Sequence, residues 1–332
     1  MVAFVVWPRG SELERAAALL PKETIRVAWT DWAGVREELD ATGVDDTGAE
    51  AEAFLAEASD RDLASASPTA ISSFLIADAF GFGPLGSEWE LLGQGRNGML
   101  LILKLADDAD FGKIADAFDD VGFTRPGKDE LSGEVWLGGP DVITNVPGLG
   151  DPVLQNVAFV EDEHLLVASD AADYLTDAMP AVLGEKDGLD LGELVDPLED
   201  PLAAIAYATD YVCEDLSMGE ADEGAQALAD ELVEQAGGVN ALTGYVAALR
   251  PGHRMTLVFE FESDKQAEEN ARSRRELAGM EDPGQLVSYT ELFQVEDSEA
   301  DGHRAVLTLE NVADDGFALT NTTQGPVLLA TC

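Results

Sequence analysis

The sequence predicts an α+β protein of two pseudo-repeated units, each an antiparallel sheet with helices packed on one face. Three observations lead there. Strand-like runs meet across short Gly- or Pro-bearing turns, as in hairpins. Helical runs lie between hairpins rather than between every pair of strands. Three groups of motifs recur in the same order in the two halves.

The first group is a strand that hands over to a helix. Residues 24–29 read as a strand, end in Thr30-Asp31-Trp32 and lead into a helical run at 35–39. Residues 203–208 do the same through Thr209-Asp210-Tyr211 into a helical run at 213–216. Asp is suited to cap such a helix, because its carboxylate accepts the unpaired first-turn amides. The second group is a hairpin followed by a helix. Trp89 precedes Met99 by ten residues and Tyr245 precedes Met255 by ten, which predicts one hairpin register for both; helices follow Asp107-Asp108 and Ser263-Asp264. The third group is a closing hairpin marked by Val-Glu-Asp at 160–162 and again at 295–297. The predicted organisation is a tail at 1–19, a first α+β repeat at 20–185, a linker at 186–198 and a second repeat at 199–332. Within this scheme 184–201 reads as solvated, and 45–57 as an exposed acidic helix.

Composition narrows the partners. Of 332 residues, 66 are acidic and 19 basic, a net charge of −47. No cluster of Lys and Arg offers a footprint for phosphate, so nucleic acid is excluded as an expected partner. The one dense basic run, Arg272, Arg274 and Arg275, sits in a Glu-rich helical stretch and is expected to pair locally. Such acidity suits a secreted protein of a high-GC bacterium, with its 13 Arg against 6 Lys, and it also suits the cytoplasm of a halophile.

The run Val2-Ala3-Phe4-Val5-Val6-Trp7 is apolar and is broken by Pro8. It is too short to span a bilayer, which takes roughly 20 residues. It reads either as the outer end of a membrane anchor largely absent from this chain, or as a short strand or tail. The two cysteines, Cys213 and Cys332, form a candidate disulfide in an oxidising compartment; in a cytosolic protein they would be unrelated thiols.

The chemical motifs lead away from catalysis and from a cofactor. Gly81–Gly86 and Gly93–Gly98 both satisfy G-x-G-x-x-G, yet Pro84 interrupts the first, and the second lies between strands, so both read as turns. His164, His253 and His303 stand at turns with no metal-ligand spacing, and read as solvated. No nucleophile elbow, C-x-x-C or Walker loop is present in the sequence. The acidic run 296–302 alternates carboxylates before a glycine, but Thr308 stands where a calcium loop needs its bidentate Glu, so a hairpin loop is expected.

Leu20-Pro21, Trp29-Thr30-Asp31-Trp32, the stretch 71–82, Trp89-Glu90-Leu91 and the run from Leu165 to Asp170 resemble actinobacterial envelope proteins of unknown function. That resemblance implies an N-terminal membrane anchor and a duplicated α+β ectodomain, and brings no catalytic residues with it. The expected function is a non-catalytic extracytoplasmic domain acting by interaction with a protein or envelope component. Two alternatives remain open: a carrier of an apolar, lipid-like ligand, and a metal-assisted hydrolase using clustered carboxylates.

Overall fold

The computed structural model describes residues 10–127, 132–313 and 315–332, so the apolar run 2–7 lies outside the described residues. The chain divides into two compact units. One holds the described residues up to Ala58 together with Ala66–Asp190; the other holds Ser59–Ser65 and Leu191–Cys332. Each combines an antiparallel sheet with helices, the α+β class read from the sequence.

The first unit opens with α1 (Glu12–Ala17), where Ser11 Oγ accepts the Glu14 amide as a cap. Then come β1 (Arg26–Thr30), α2 (Trp32–Glu38), α3 (Ala49–Asp60) and α4 (Ser73–Phe80). The hairpin β2 (Trp89–Gly95) and β3 (Gly98–Lys104) leads to α5 (Phe111–Val121). Short β4 (Trp136–Leu137) and α6 (Pro140–Ile143) precede a second hairpin, β5 (Asn156–Val160) and β6 (Leu165–Ser169), and α7 (Ala172–Val182) closes the unit. The strand order is β1-β2-β3-β6-β5-β4, every neighbouring pair antiparallel.

Opposed residues on neighbouring strands share a face, and successive residues alternate. One face carries Trp89, Leu91, Gly93 and Gly95. A Cβ on Gly93 would lie 2.7 Å from Leu20, just past α1, and one on Gly95 would lie 2.8 Å from the Tyr174 hydroxyl of α7. The other face carries Glu90, Leu103, Leu166 and Phe159. There Phe118 of α5 stacks on Phe80 of α4 at 4.2 Å and meets Phe159 at 5.8 Å. Helices thus occupy both faces rather than one, and β6 is buried at every position.

The second unit begins with α8 (Gly192–Val195), β7 (Ala203–Tyr207), α9 (Tyr211–Asp215) and α10 (Glu223–Ala236). The hairpin β8 (Gly244–Arg250) and β9 (Arg254–Glu260) leads to α11 (Asp264–Leu277). A short ladder, β10 (Glu281–Asp282) and β11 (Val287–Ser288), precedes α12 (Tyr289–Leu292). The hairpin β12 (Phe293–Asp301) and β13 (Arg304–Asn311) is followed by α13 (Ala318–Thr323). Its strand order is β7-β8-β9-β13-β12, again antiparallel throughout. That is the order of the first unit without β4. Here too both faces are covered. Arg274 of α11 lies 4.8 Å over the Phe259 ring on one face. On the other, Arg304 donates to the Glu193 carbonyl of α8.

The matched motifs coincide only in part. Met99 and Met255 do stand at equivalent positions, each second in a seven-residue strand. Trp89 and Tyr245 do not. The first hairpin turns through Arg96-Asn97 and the second through Pro251-Gly252-His253, one residue longer. Trp89 therefore opposes Lys104, whereas the partner of the matching Glu260 is Gly244. A slip of one residue exchanges the faces of a strand. Tyr245 accordingly stands where Glu90 stands in the first unit.

The Val-Glu-Asp pair also separates. Val160 ends β5 at a hairpin turn, but Val295 lies inside β12, next to an irregularity in its pairing, and the turn comes later at Gly302-His303. The handover motifs differ as well. Asp31 caps α2 by accepting the Gly34 amide at 2.8 Å, while Asp210 stands at the cap position of α9 without a side-chain bond.

Two solvated readings give way to burial. Within 184–201 the residues Leu189, Leu191, Leu194, Val195 and Leu198 are all buried, and the Leu189 amide donates to the Leu20 carbonyl at 2.9 Å. Likewise α3 buries Ala51, Phe54 and Ala58 along one side. In both stretches the acidic residues mask an apolar stripe.

Candidate functional site

The clefts in the first unit grow out of its glycines. The two-residue turn of the β2–β3 hairpin approaches α7 closely because Gly95 and Gly98 leave room for the Tyr174 ring; a Cβ on Gly98 would lie 2.8 Å from it. The Met99 amide donates to Asp170 Oδ1 at 2.9 Å, which fixes the hairpin against the start of α7. An open cleft of about 780 Å³ results, lined by Pro21, Ile25 and Tyr174 with Glu23, Arg96, Asp173 and Asp177 around them. Burial holds the Tyr174 hydroxyl above its usual pKa, assisted by the nearby charges of Asp170 and Glu23. The cleft offers apolar and aromatic surface under a mostly acidic rim.

A second open cleft, about 580 Å³, lies against the Gly81–Gly86 loop and is lined by Asp45, Asp46, Asp78, Asp108, Asp110 and Lys113 among others. The loop holds a carboxylate of its own chain. The Gly86 amide donates to Asp46 Oδ1 at 2.8 Å, and a Cβ on Gly83 or Gly86 would come within 2.4 or 2.6 Å of an Asp46 oxygen. Its small residues serve that contact, and burial raises the Asp46 pKa. The Gly93–Gly98 loop is the β2–β3 hairpin itself.

Each unit also hides a polar cluster that the sequence reading missed. In the first, Glu90 is 1% exposed. Its carboxylate accepts from Trp32 Nε1 at 3.1 Å, from the Ser67 hydroxyl, and from the Thr69 hydroxyl and amide at 2.7 and 3.3 Å. Burial raises its pKa although all these bonds oppose the rise. In the second unit Arg274 is fully buried, and desolvation lowers its pKa to about 9. Its guanidinium donates to the Leu329, Asn240 and Thr331 carbonyls and lies over Phe259 and Phe261. Local ion pairing along the helix, expected for the run 272–275, therefore fails for Arg274, which faces inward beside Ala267, Ala271 and Leu277. Nearby Asp282, also buried, accepts from the Tyr289 hydroxyl and from the Gly284, Gln285 and Leu328 amides.

Cys213 and Cys332 are joined in a disulfide, their Cα atoms 5.7 Å apart and 119 residues distant in sequence. His303 is half-buried rather than solvated, with Nε2 3.4 Å from Glu260 and 3.7 Å from Glu193. The acidic run 296–302 is the far end of β12 and its turn into β13. Among the described residues, no group of three His, Cys, Asp or Glu side chains is arranged to hold a metal ion, and no helix is long and apolar enough to cross a membrane.

No family model and no curated protein matches the chain. Among solved structures it is similar to one described as "Structure of crystal form III of TP0453", with a TM-score of 0.45 and 8% identity over 91% of this chain and 95% of that one.

Proposed function

We propose that this protein is a non-catalytic extracytoplasmic domain of the cell envelope that works by binding a protein or envelope component. The Cys213–Cys332 bond carries the compartment, because disulfides persist where the surroundings are oxidising. A tether through the N-terminal residues, and an origin of the two units by duplication, belong to the same proposal. Matched strand order supports the latter.

The cleft at Tyr174 supports the binding role. Apolar surface beneath Glu23, Asp173 and Asp177 fits a partner that presents a cationic group on an apolar surface. Calorimetric titration with a short Lys- and Leu-containing peptide tests this. Joint replacement Asp173→Asn and Asp177→Asn is expected to weaken binding at least tenfold. Joint replacement of Glu223 and Glu231 by Gln, exposed on α10, is expected to leave it unchanged. Equal weakening by both pairs would reduce the interaction to unspecific attraction and reject the cleft.

A further inference from the structure

In the second unit the segment 326–332 forms a strap that joins no sheet and contains a single 3-10 turn, Leu328–Ala330. Val327, Leu328, Leu329 and Ala330 are all completely buried. A buried backbone must find partners for its amides and carbonyls, and within the core these usually come from other backbone groups. Here side chains of the surrounding unit supply many of them. Asp282 accepts the Leu328 amide at 2.8 Å, and the Tyr289 hydroxyl accepts the Leu329 amide at 3.2 Å. Arg274 donates to the Leu329 and Thr331 carbonyls, and Gln285 Nε2 to that of Pro326 at 3.0 Å. Ser217 Oγ accepts the Cys332 amide at 3.3 Å. One backbone bond to the rest of the unit, from the Val327 amide to the Leu216 carbonyl at 2.7 Å, completes the seating, and the strap's own turn pairs the Ala330 and Thr331 amides with the Val327 and Leu328 carbonyls.

Side chains that read the main chain of a short apolar segment are the chemistry of a peptide-binding groove. Two further features set this groove apart from ordinary core. Arg274 is a buried cation held by carbonyls, and its Nε has no hydrogen-bond partner. The bond that closes the strap joins half-buried Cys213 of α9 to the exposed Cys332, so thiols have access to it from both sides.

We propose that this groove is a peptide-binding site occupied in cis by the strap, with the Cys213–Cys332 disulfide as its latch. Its ligand class is an apolar segment in the main-chain shape of 327–331 that carries a thiol. Exchange is balanced without an outside oxidant. The incoming thiolate attacks Cys213 Sγ, the Cys213–Cys332 bond breaks, and Cys332 leaves as a thiolate that takes up a proton. One disulfide is lost and one is formed.

The intact oxidised protein is incubated with a synthetic peptide of residues 325–332 and, separately, with a scrambled peptide that keeps its terminal cysteine. Peptide mapping by mass spectrometry then follows the adducts. The native-order peptide is expected to add at Cys213 at least ten times faster than the scrambled one. Equal rates, or addition at Cys332 in preference to Cys213, would overturn the proposal. Amide hydrogen exchange supplies the second readout. After reduction, the exchange of Leu328 and Leu329 is expected to accelerate at least ten times more than that of the β8 and β9 amides. Unchanged strap amides, or strap and sheet amides that accelerate together, would overturn it as well.

Discussion

The two units share a strand order and differ in what they bury at the second residue of the strand after the first helices. In the first unit that residue is Glu90, a carboxylate closed inside a shell of neutral donors from Trp32, Ser67 and Thr69. In the second it is Tyr245, whose hydroxyl donates to the Thr322 carbonyl at 2.9 Å, and the buried charge has moved to Arg274 on α11. One backbone plan therefore tolerates either sign of buried charge, provided that hydrogen bonds surround it. The units differ in closure too. The first unit contains no cysteine, whereas the second adds a covalent latch on a strap read by side chains. Probes can separate them, because all five tryptophans lie in residues up to 136 and four of five tyrosines lie beyond 206.

Removing the latch is expected to cost most. Joint replacement of Cys213 and Cys332 by Ser lifts the constraint on a loop of 119 residues, worth about 4–5 kcal/mol in the chain-entropy account. Hydrogen exchange in β8, β9 and β13 should accelerate accordingly. If tryptophan fluorescence reports an equal loss in the first unit, the contrast in closure fails.

Asp282→Ala comes next, at about 3 kcal/mol, because it strands the Leu328, Gly284 and Gln285 amides and the Tyr289 hydroxyl together. Urea titration followed by tyrosine signals measures it. A cost below about 1 kcal/mol would mean that the strap is held by packing alone.

Glu90→Gln sharpens the comparison on the other side. Either amide orientation sets an N–H against the Trp32 indole or the Thr69 amide, at a cost of about 2 kcal/mol. Tryptophan-detected urea unfolding is the check. A neutral or stabilising result would show that the shell prefers an uncharged group.

The smallest effect is a pH dependence confined to the first unit. Burial, with the nearby Glu12 charge, raises the Asp31 pKa from 3.8 to about 6, although the Gly34 amide pulls it down. The folded state then holds a proton that the unfolded chain has already lost. Stability from this group is fully present below about pH 4 and is lost as pH rises through about 6, by on the order of 1 kcal/mol. Asp31→Asn should flatten that slope, measured as Tm at pH 4, 5, 6 and 7. An unchanged slope would place the titrating group elsewhere.

How far the sequence carried can be judged at particular residues. Alternating strands, Gly-marked turns and the Met99–Met255 spacing were enough for the α+β class and its hairpins, because those signals are local. The register of Tyr245 was not legible, since one extra turn residue leaves every local pattern intact while exchanging faces. Leu189 and Leu191 were hidden by the acidic residues around them. Glu90 left a readable trace, a lone charge inside the apolar run Trp89-Glu90-Leu91-Leu92, and Arg274 another, a cation on the stripe of Ala267, Ala271 and Leu277. Their partners come from segments far away in sequence, and only the folded chain brings them together. The cleft at Tyr174 was not legible at all, for it depends on an approach between Gly98 and a helix that begins more than seventy residues later.

The latch is the feature on which compartment, closure and strap all depend. Mass measurement of alkylated protein taken from its native cells, without prior reduction, tests it directly. The account predicts no alkylation at Cys213 or Cys332 until a reductant is added, and both sites modified thereafter. Two alkylated cysteines in the untreated protein would contradict the latch, and with it the proposed extracytoplasmic location.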